Sequence, residues 1–277
     1  LFLKNPIWLL LGKYGLVDGT FPVAKFARAR MAERYPTDPK GSVLPSTEPS
    51  KEAKNPDLLS KFVQAKHARS EFMNDSLVMT MAISMAFAGS ETTAISLSSV
   101  FYYLLKNPRC MEELYKELDS KAKEGYFADN ENGLVTWTES QSLPYLDACI
   151  KEAFRLHPAP GLPLERIVPP QGADIAGHFI KGGTIVGCSA WVIHRNKEIF
   201  GDDVEDYRPE RWLVDESKDK DVEEKRIKEM TGMMLQFGMG ARTCIGKNIS
   251  LLEMYKVVPT VLRRFEVSLP TSFAHLP

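Results

Sequence analysis

One ten-residue stretch limits this chain more than any other: FGMGARTCIG, Phe237–Gly246, followed directly by an amphipathic run. By itself a lone cysteine is usually a small buried hydrophobe, and glycines ahead of a helix usually make a turn. The full spacing asks for more. Phe237, Gly240, Arg242, Cys244 and Gly246 satisfy F-x-x-G-x-R-x-C-x-G at every fixed position. The other cysteines, Cys110, Cys149 and Cys188, lie far away, and no two of the four have zinc-type spacing. A disulfide framework is not expected in a chain of 277 residues, so the thiols are read as reduced and the protein as intracellular in type. With 35 basic and 36 acidic residues, net charge −1, no strong field favours a nucleic-acid partner.

Each position of the loop has a task if Cys244 holds haem iron. Glycines, with Gly238 added to Gly240 and Gly246, let the backbone approach a flat macrocycle and offer N–H groups to sulfur. A cysteine placed at a helix N-terminus has its thiolate favoured by the positive end of the dipole. Arg242 can pair with an acidic propionate, and Phe237 can pack over the loop and keep water from the sulfur. The stretch closely resembles the haem loop of the cytochrome P-450 family. In that family the thiolate pushes electron density onto iron, a property of the cofactor and its ligand rather than of this chain. After the loop, Ile249, Leu252, Met254, Val257, Val258, Val261, Leu262 and Phe265 form a helical stripe, read as core.

Apolar periodicity predicts a helix over 74–105, ended by Asn107-Pro108. AGSETT, Ala88–Thr93, interrupts its middle. Gly89 costs about 1 kcal/mol against alanine there, and Glu91 is a charge in a buried-looking run. A face turning to solvent explains this as well as function does. The functional alternative has the Thr92 hydroxyl bonding the Ala88 carbonyl and loosening the helix. Ala88 and Gly89 would then leave room for a diatomic ligand, and Glu91 would supply protons. This resembles the oxygen-activation helix of the same family, A-G-x-D/E-T-T/S. The resemblance implies that Thr92 serves the oxygen site and Glu91 feeds it protons. Met85 and Ala86 are read as facing substrate or core equally.

KEAFRLHP sets Glu152 and Arg155 three apart on one helix face, by itself an ordinary surface pair. YRPERW adds Arg211. Together they resemble the family's E-x-x-R and P-E-R-F/W elements, which implies a buried structural network of Glu152, Arg155 and Arg211. In LERIVPP the resemblance gives Arg166 a haem propionate, where the plain reading is a strand-end charge; Gly161 to Leu164 would line the substrate side. His157 and His194 are read as structural residues rather than metal ligands.

The predicted architecture is mainly α with a small β region, a cytochrome P-450 fold truncated at the N-terminus and slightly at the C-terminus. Residues 1–277 read as one partial domain. Its parts are a surface loop at 36–57, the helix at 74–105, a helix at 144–157, short β pieces within 164–188 suggesting hairpins, and the cysteine loop and helix at 237–265. Further helices are expected at 57–64 and 108–123. DESKDKDVEEKRIKE, 215–229, reads as a solvated charged segment. The N-terminal LFLKNPIWLLLGKYG lacks a basic n-region and a cleavage site and is not read as a signal peptide. No Met opens the chain, and no apolar stretch is long enough to span a bilayer.

The resemblance covers roughly 57–265 and is closest in texture to filamentous-fungal members related to pisatin demethylase. It implies haem b, O2, a small lipophilic substrate and electrons from NADPH through NADPH-cytochrome P-450 reductase, docking near Lys247, Lys256, Arg263 and Arg264. A full-length parent would sit on the cytosolic face of the endoplasmic reticulum membrane. The expected reaction is monooxygenation. Relatives that act as oxygen-independent isomerases or dehydratases often lose the acid–alcohol pair, and Glu91 and Thr92 are intact. A third reading is an inactive fragment, because the family's membrane anchor, a propionate-gripping helix and a C-terminal hairpin are not found in this sequence.

Overall fold

Helices dominate because apolar residues recur at helical spacing along most of the chain. The computed structural model describes residues 22–34, 57–127 and 133–268. The expected loop at 36–57, apart from Asp57, lies outside the described residues. The helices are α1 Pro22–Arg34, α2 Leu58–Ala68, α3 Asp75–Lys106, α4 Pro108–Lys123, α5 Trp137–Ser140, α6 Pro144–Leu156, α7 Ala190–Ile193, α8 Lys197–Phe200, α9 Lys220–Gly232 and α10 Lys247–Arg264. Four strands lie between α6 and α7: β1 Leu164–Ile167, β2 Ala173–Ile175, β3 His178–Ile180 and β4 Ile185–Cys188. The chain divides into two compact units, 1–91 and 92–277.

The first unit has a small core of Met31, Val63, Met73 and Val78. Asp57 starts α2 by accepting the Ser60 amide at 2.9 Å, satisfying one orphan donor of the first turn.

The second unit is built on α4, α6 and α10. Leu114 and Leu118 of α4, Leu146, Ile150 and Ala153 of α6, and Met254, Val258 and Leu262 of α10 are buried together. Each large one contributes about 1.5–3 kcal/mol. Pro108 and Pro144 open α4 and α6 at the first turn, where a missing N–H costs nothing. No residue of α6 itself caps its start. Instead Glu117 of α4 accepts the Tyr145 and Leu146 amides at 2.7 and 3.0 Å. Burial pushes the Glu117 carboxyl up, against the pull of those amides.

The β region forms two antiparallel pairs. β2 and β3 make a tight hairpin, Ile175 opposite His178, turning through Ala176 at φ 53° and Gly177 at φ 79°. Both turn residues have positive φ, as a two-residue hairpin with the right twist requires. β1 pairs with β4 instead, Leu164 opposite Cys188 and Ile167 opposite Ile185, enclosing that hairpin.

Two expectations need correction. The segment 215–229 is not merely solvated: Lys220–Gly232 is helix α9, started by Asp219, whose carboxylate accepts the Val222 amide at 3.1 Å. Arg226 holds it in place, donating to the Arg211 carbonyl at 2.7 Å and the Leu213 carbonyl at 3.2 Å while pairing with Glu223. Helix α3, by contrast, matches the expected helix at 74–105 and is helical at every residue of Ala88–Thr93. The stripe along α10 is narrower than expected. Met254, Val258 and Leu262 are buried, but Ile249, Leu252 and Val257, with Phe265 beyond the helix, are exposed.

Candidate haem-loop site

The cysteine loop begins in the core and ends at the surface. Leu235 is buried and Phe237 half-buried, its ring meeting Phe154 of α6 edge-on at 5.3 Å. Gly238 and Gly240 both have φ 67°, a left-handed conformation that a side chain disfavours. Two backbone bonds close the loop: Gly238 N–H to the Leu235 carbonyl and Cys244 N–H to the Phe237 carbonyl, both 2.8 Å. Cys244 is exposed, and a Cβ added to Gly246 would stand 3.8 Å from its Sγ. A Cβ on Gly240 would meet nothing within 4 Å. Helix α10 starts at Lys247 with Gly246 as its N-cap, so Cys244 lies just before the helix rather than on its first turn.

Two guanidinium groups lie in the same unit. Arg242 is exposed; Arg166, also exposed, donates to the Glu165 carbonyl at 2.7 Å. Leu162, Ile167, Ile185 and Ile245 are exposed as well, Ile245 at 89%. A soft sulfur donor on a glycine loop, two cations and open apolar surface suit a flat, iron-centred, anionic macrocycle. Among the described residues no group of three or more His, Cys, Asp or Glu could hold a bare metal ion.

On α3, Ala88, Gly89, Glu91 and Thr92 are all exposed, so Glu91 is not in a buried stretch after all. A Cβ on Gly89 would meet nothing within 4 Å. Met85 and Ala86 are half-buried. Within the second unit, Thr93 is buried and its hydroxyl donates to Ser250 Oγ on α10 at 3.2 Å. The residue after Thr92 is thus bonded to the helix that follows Cys244, a link the sequence did not signal.

Behind the loop, Glu152 is fully buried and accepts five hydrogen bonds. Arg155 Nε and Nη2 donate at 2.9 and 2.8 Å, Arg211 Nε at 2.8 Å, Trp212 Nε1 at 2.8 Å and the Arg208 amide at 3.1 Å. The spare donors of Arg155 reach the carbonyls of His194, Val204 and Asp206 at 3.0, 2.6 and 3.1 Å. Arg211 also pairs with Asp203 at 3.0 Å. Burial works against the charge of Asp203, but the Arg211 and Arg208 guanidinium groups hold its carboxyl below the usual range. Neither Trp212 nor the Arg208 amide was anticipated, although Trp212 stands inside PERW.

His157 meets Trp191 edge-on at 5.1 Å. His194 is fully buried. Burial lowers its pKa from 6.5 to about 4, the bond to the Arg155 carbonyl pulls the other way, and the Arg155 and Arg195 charges lower it further. Between those two values the unfolded chain binds a proton that the folded chain refuses, so stability falls as pH drops through that window. The expected loss on going from neutral pH to pH 4 is about 3 kcal/mol. Urea unfolding midpoints across the window measure it, and His194→Gln should flatten that part of the curve.

The family profile for cytochrome P-450 matches residues 25–274. The chain is 47% identical over 213 residues to the cytochrome P-450 monooxygenase cicH of Emericella nidulans, covering 77% of this chain and 40% of that protein. It is 44% identical over 271 residues to a cytochrome P-450 monooxygenase of Aspergillus terreus, covering 97% of this chain and 50% of that one. To a pisatin demethylase of Fusarium vanettenii it is 44% identical over 182 residues, 66% of this chain and 32% of the relative. The chain thus spans about half the length, or less, of these curated relatives. By its profile match, its relatives and its mainly helical fold, and in keeping with the haem-binding character of that family, this chain belongs to the cytochrome P-450 family.

Proposed function

We propose that this chain is the haem-loop portion of a haem-thiolate monooxygenase that inserts one atom of O2 into a small lipophilic substrate. The observation that carries the reading is Cys244, held exposed on a glycine loop whose backbone is closed from Phe237. Haem held by Cys244 would supply the oxidising chemistry: O2 activation that, with two electrons and two protons, gives one oxygen atom to substrate and the other to water.

The chain's own residues bind, brace and deliver protons. Cys244 supplies the thiolate, and Arg242 and Arg166 neutralise the propionates. Gly238, Gly240 and Gly246 keep the loop free of side chains, and Phe237 braces it on Phe154. Thr92 offers a hydroxyl at the oxygen site and Glu91 relays protons towards it. Ala88 and Gly89 leave that stretch of α3 unobstructed. Glu152, Arg155 and Arg211 fasten the scaffold and take no part in the chemistry.

Electrons come from NADPH through its reductase. Exposed Lys247, Arg263 and Arg264, with half-buried Lys256, are the cations of the last helix that could meet it. Among the described residues no helix is long and apolar enough to cross a membrane. Contact with the endoplasmic reticulum membrane is proposed for the full-length parent. Hydroxylation and O-demethylation are the reactions to screen; one relative is named a demethylase.

The test is the reduced, carbon-monoxide-bound difference spectrum of haem-loaded protein. A red-shifted Soret band is expected, and its absence in both this chain and a full-length parent would sink the reading. Thr92→Ala should keep that band while product formed per NADPH falls about tenfold, the missing electrons appearing as hydrogen peroxide. Unchanged coupling of NADPH to product would remove the proton-delivery role.

A further inference from the structure

His194 stands outside every role assigned above, yet it joins the two parts that matter. Its Nδ1 lies 3.1 Å from the Arg155 carbonyl, and its Nε2 lies 2.8 Å from the Leu235 amide nitrogen. A carbonyl only accepts and an amide only donates, so the tautomer is settled: Nδ1 carries the proton and Nε2 accepts. Arg155 returns a bond from Nη1 to the His194 carbonyl at 3.0 Å. The ring is fixed from the side by Phe200, edge-on at 6.2 Å. From Leu235 the connections continue, since its carbonyl takes the Gly238 amide and the Phe237 carbonyl takes the Cys244 amide.

We infer that His194 is a positioning residue for the cysteine loop. It transmits the fixed location of the Glu152–Arg155–Arg211 knot, through Leu235, to the backbone that presents Cys244. The Leu235 amide is buried, and a buried donor without a partner is costly. Leu235 therefore stays where the ring acceptor is, and the turn at Leu235–Gly238 starts from a defined place. A histidine suits the task because its two ring nitrogens reach in opposite directions, one to α6 and one to the loop. In its neutral form it does so without adding a third positive charge beside Arg155 and Arg211. The functional part of the inference rests on Cys244 being the haem ligand; the mechanical part does not.

Two variants of equal chemistry and unequal reach separate positioning from mere space-filling. The amide of His194→Gln extends as far as Nε2 and can still accept from Leu235. The amide of His194→Asn ends near Nδ1, can still donate to the Arg155 carbonyl, and falls short of Leu235. Amide hydrogen exchange is read by mass spectrometry across 233–246, with 144–156 as the internal reference. The expected result is exchange about tenfold faster over 233–246 in His194→Asn, near wild-type exchange in His194→Gln, and little change at 144–156 in either. Equal exchange in the two variants, whether both slow or both fast, overturns the inference. So does loosening of 144–156 to the same degree as 233–246.

The reduced carbon-monoxide spectrum of the haem-loaded variants gives the second reading. His194→Asn should shift part of the population from the red-shifted thiolate band to the unshifted band, and His194→Gln should restore it. If the wild-type protein shows no thiolate band, the haem assignment of Cys244 fails by itself. The exchange comparison then still decides whether His194 positions the loop.

Discussion

Cys244→Ala is expected to eliminate the red-shifted Soret band of the reduced, carbon-monoxide-bound protein completely. No other thiol can replace it. Cys110 and Cys149 are buried, and burial pushes both thiols up, well up for Cys149, so neither is a ready thiolate. Cys188 is exposed, but it sits on strand β4 opposite Leu164 and is not part of the glycine loop. Cys188→Ala is therefore the matched control and should leave the band intact. A thiolate band in Cys244→Ala, or its loss in Cys188→Ala alone, would transfer the ligand to β4 and overturn the assignment of the loop.

Arg155→Ala should prevent folded protein from accumulating. The deletion removes two of the five bonds to Glu152 and takes a donor from the carbonyls of His194, Val204 and Asp206, the first two belonging to buried residues. Breaking a buried pair by removing one partner costs about 3–5 kcal/mol, against a total stability of roughly 5–15 kcal/mol for a typical domain. Arg155→Lys should do little better. An ammonium cannot span both Glu152 oxygens and three carbonyls at once. Lys116→Ala is the surface comparison: the side chains of Lys116 and its partner Glu113 are both largely exposed, and such a pair contributes little. Soluble yield and urea unfolding measure both. If Arg155→Ala unfolds at the wild-type midpoint, the knot is not what holds this half of the fold.

Much of this was readable before any coordinates, and the reasons are specific. Pro108 and Pro144 sit at helix starts, where proline's missing N–H and fixed φ agree with the backbone, so both boundaries matched to the residue. The β1 to β4 region declared itself by a change of period and by its glycines, but sequence suggested neighbouring hairpins, and pairing of β1 with β4 depends on contacts across the intervening turn. Helix α9 was overlooked because charged residues form it. Its anchors are Arg226, clasping two carbonyls, and Met230 with half-buried Ile227 in the cluster of Phe200, Val204 and Trp212, too few apolar positions to stand out. Helix α3 matched its expected span despite Gly89, because one glycine lowers helix propensity without ending a helix whose other residues favour it. At the site, spacing gave no more than a Glu152–Arg155 surface pair; it was the resemblance of KEAFRLHP and YRPERW to family elements that implied Glu152, Arg155 and Arg211 as buried partners. The function of His194 depended on a 41-residue separation from Leu235, which no local pattern encodes.

The cap that Glu117 lends to α6 has a consequence for how the protein is made. The acceptor belongs to α4 and the donors to Tyr145 and Leu146, so the acceptor leaves the ribosome first. Nucleation is the costly step of helix formation, and a first turn whose amides find a waiting carboxylate is relieved of part of that cost. Vectorial synthesis thus presents α6 with a template already in place, and the helix that carries Glu152 and Arg155 can condense on α4 before the cysteine loop has been translated.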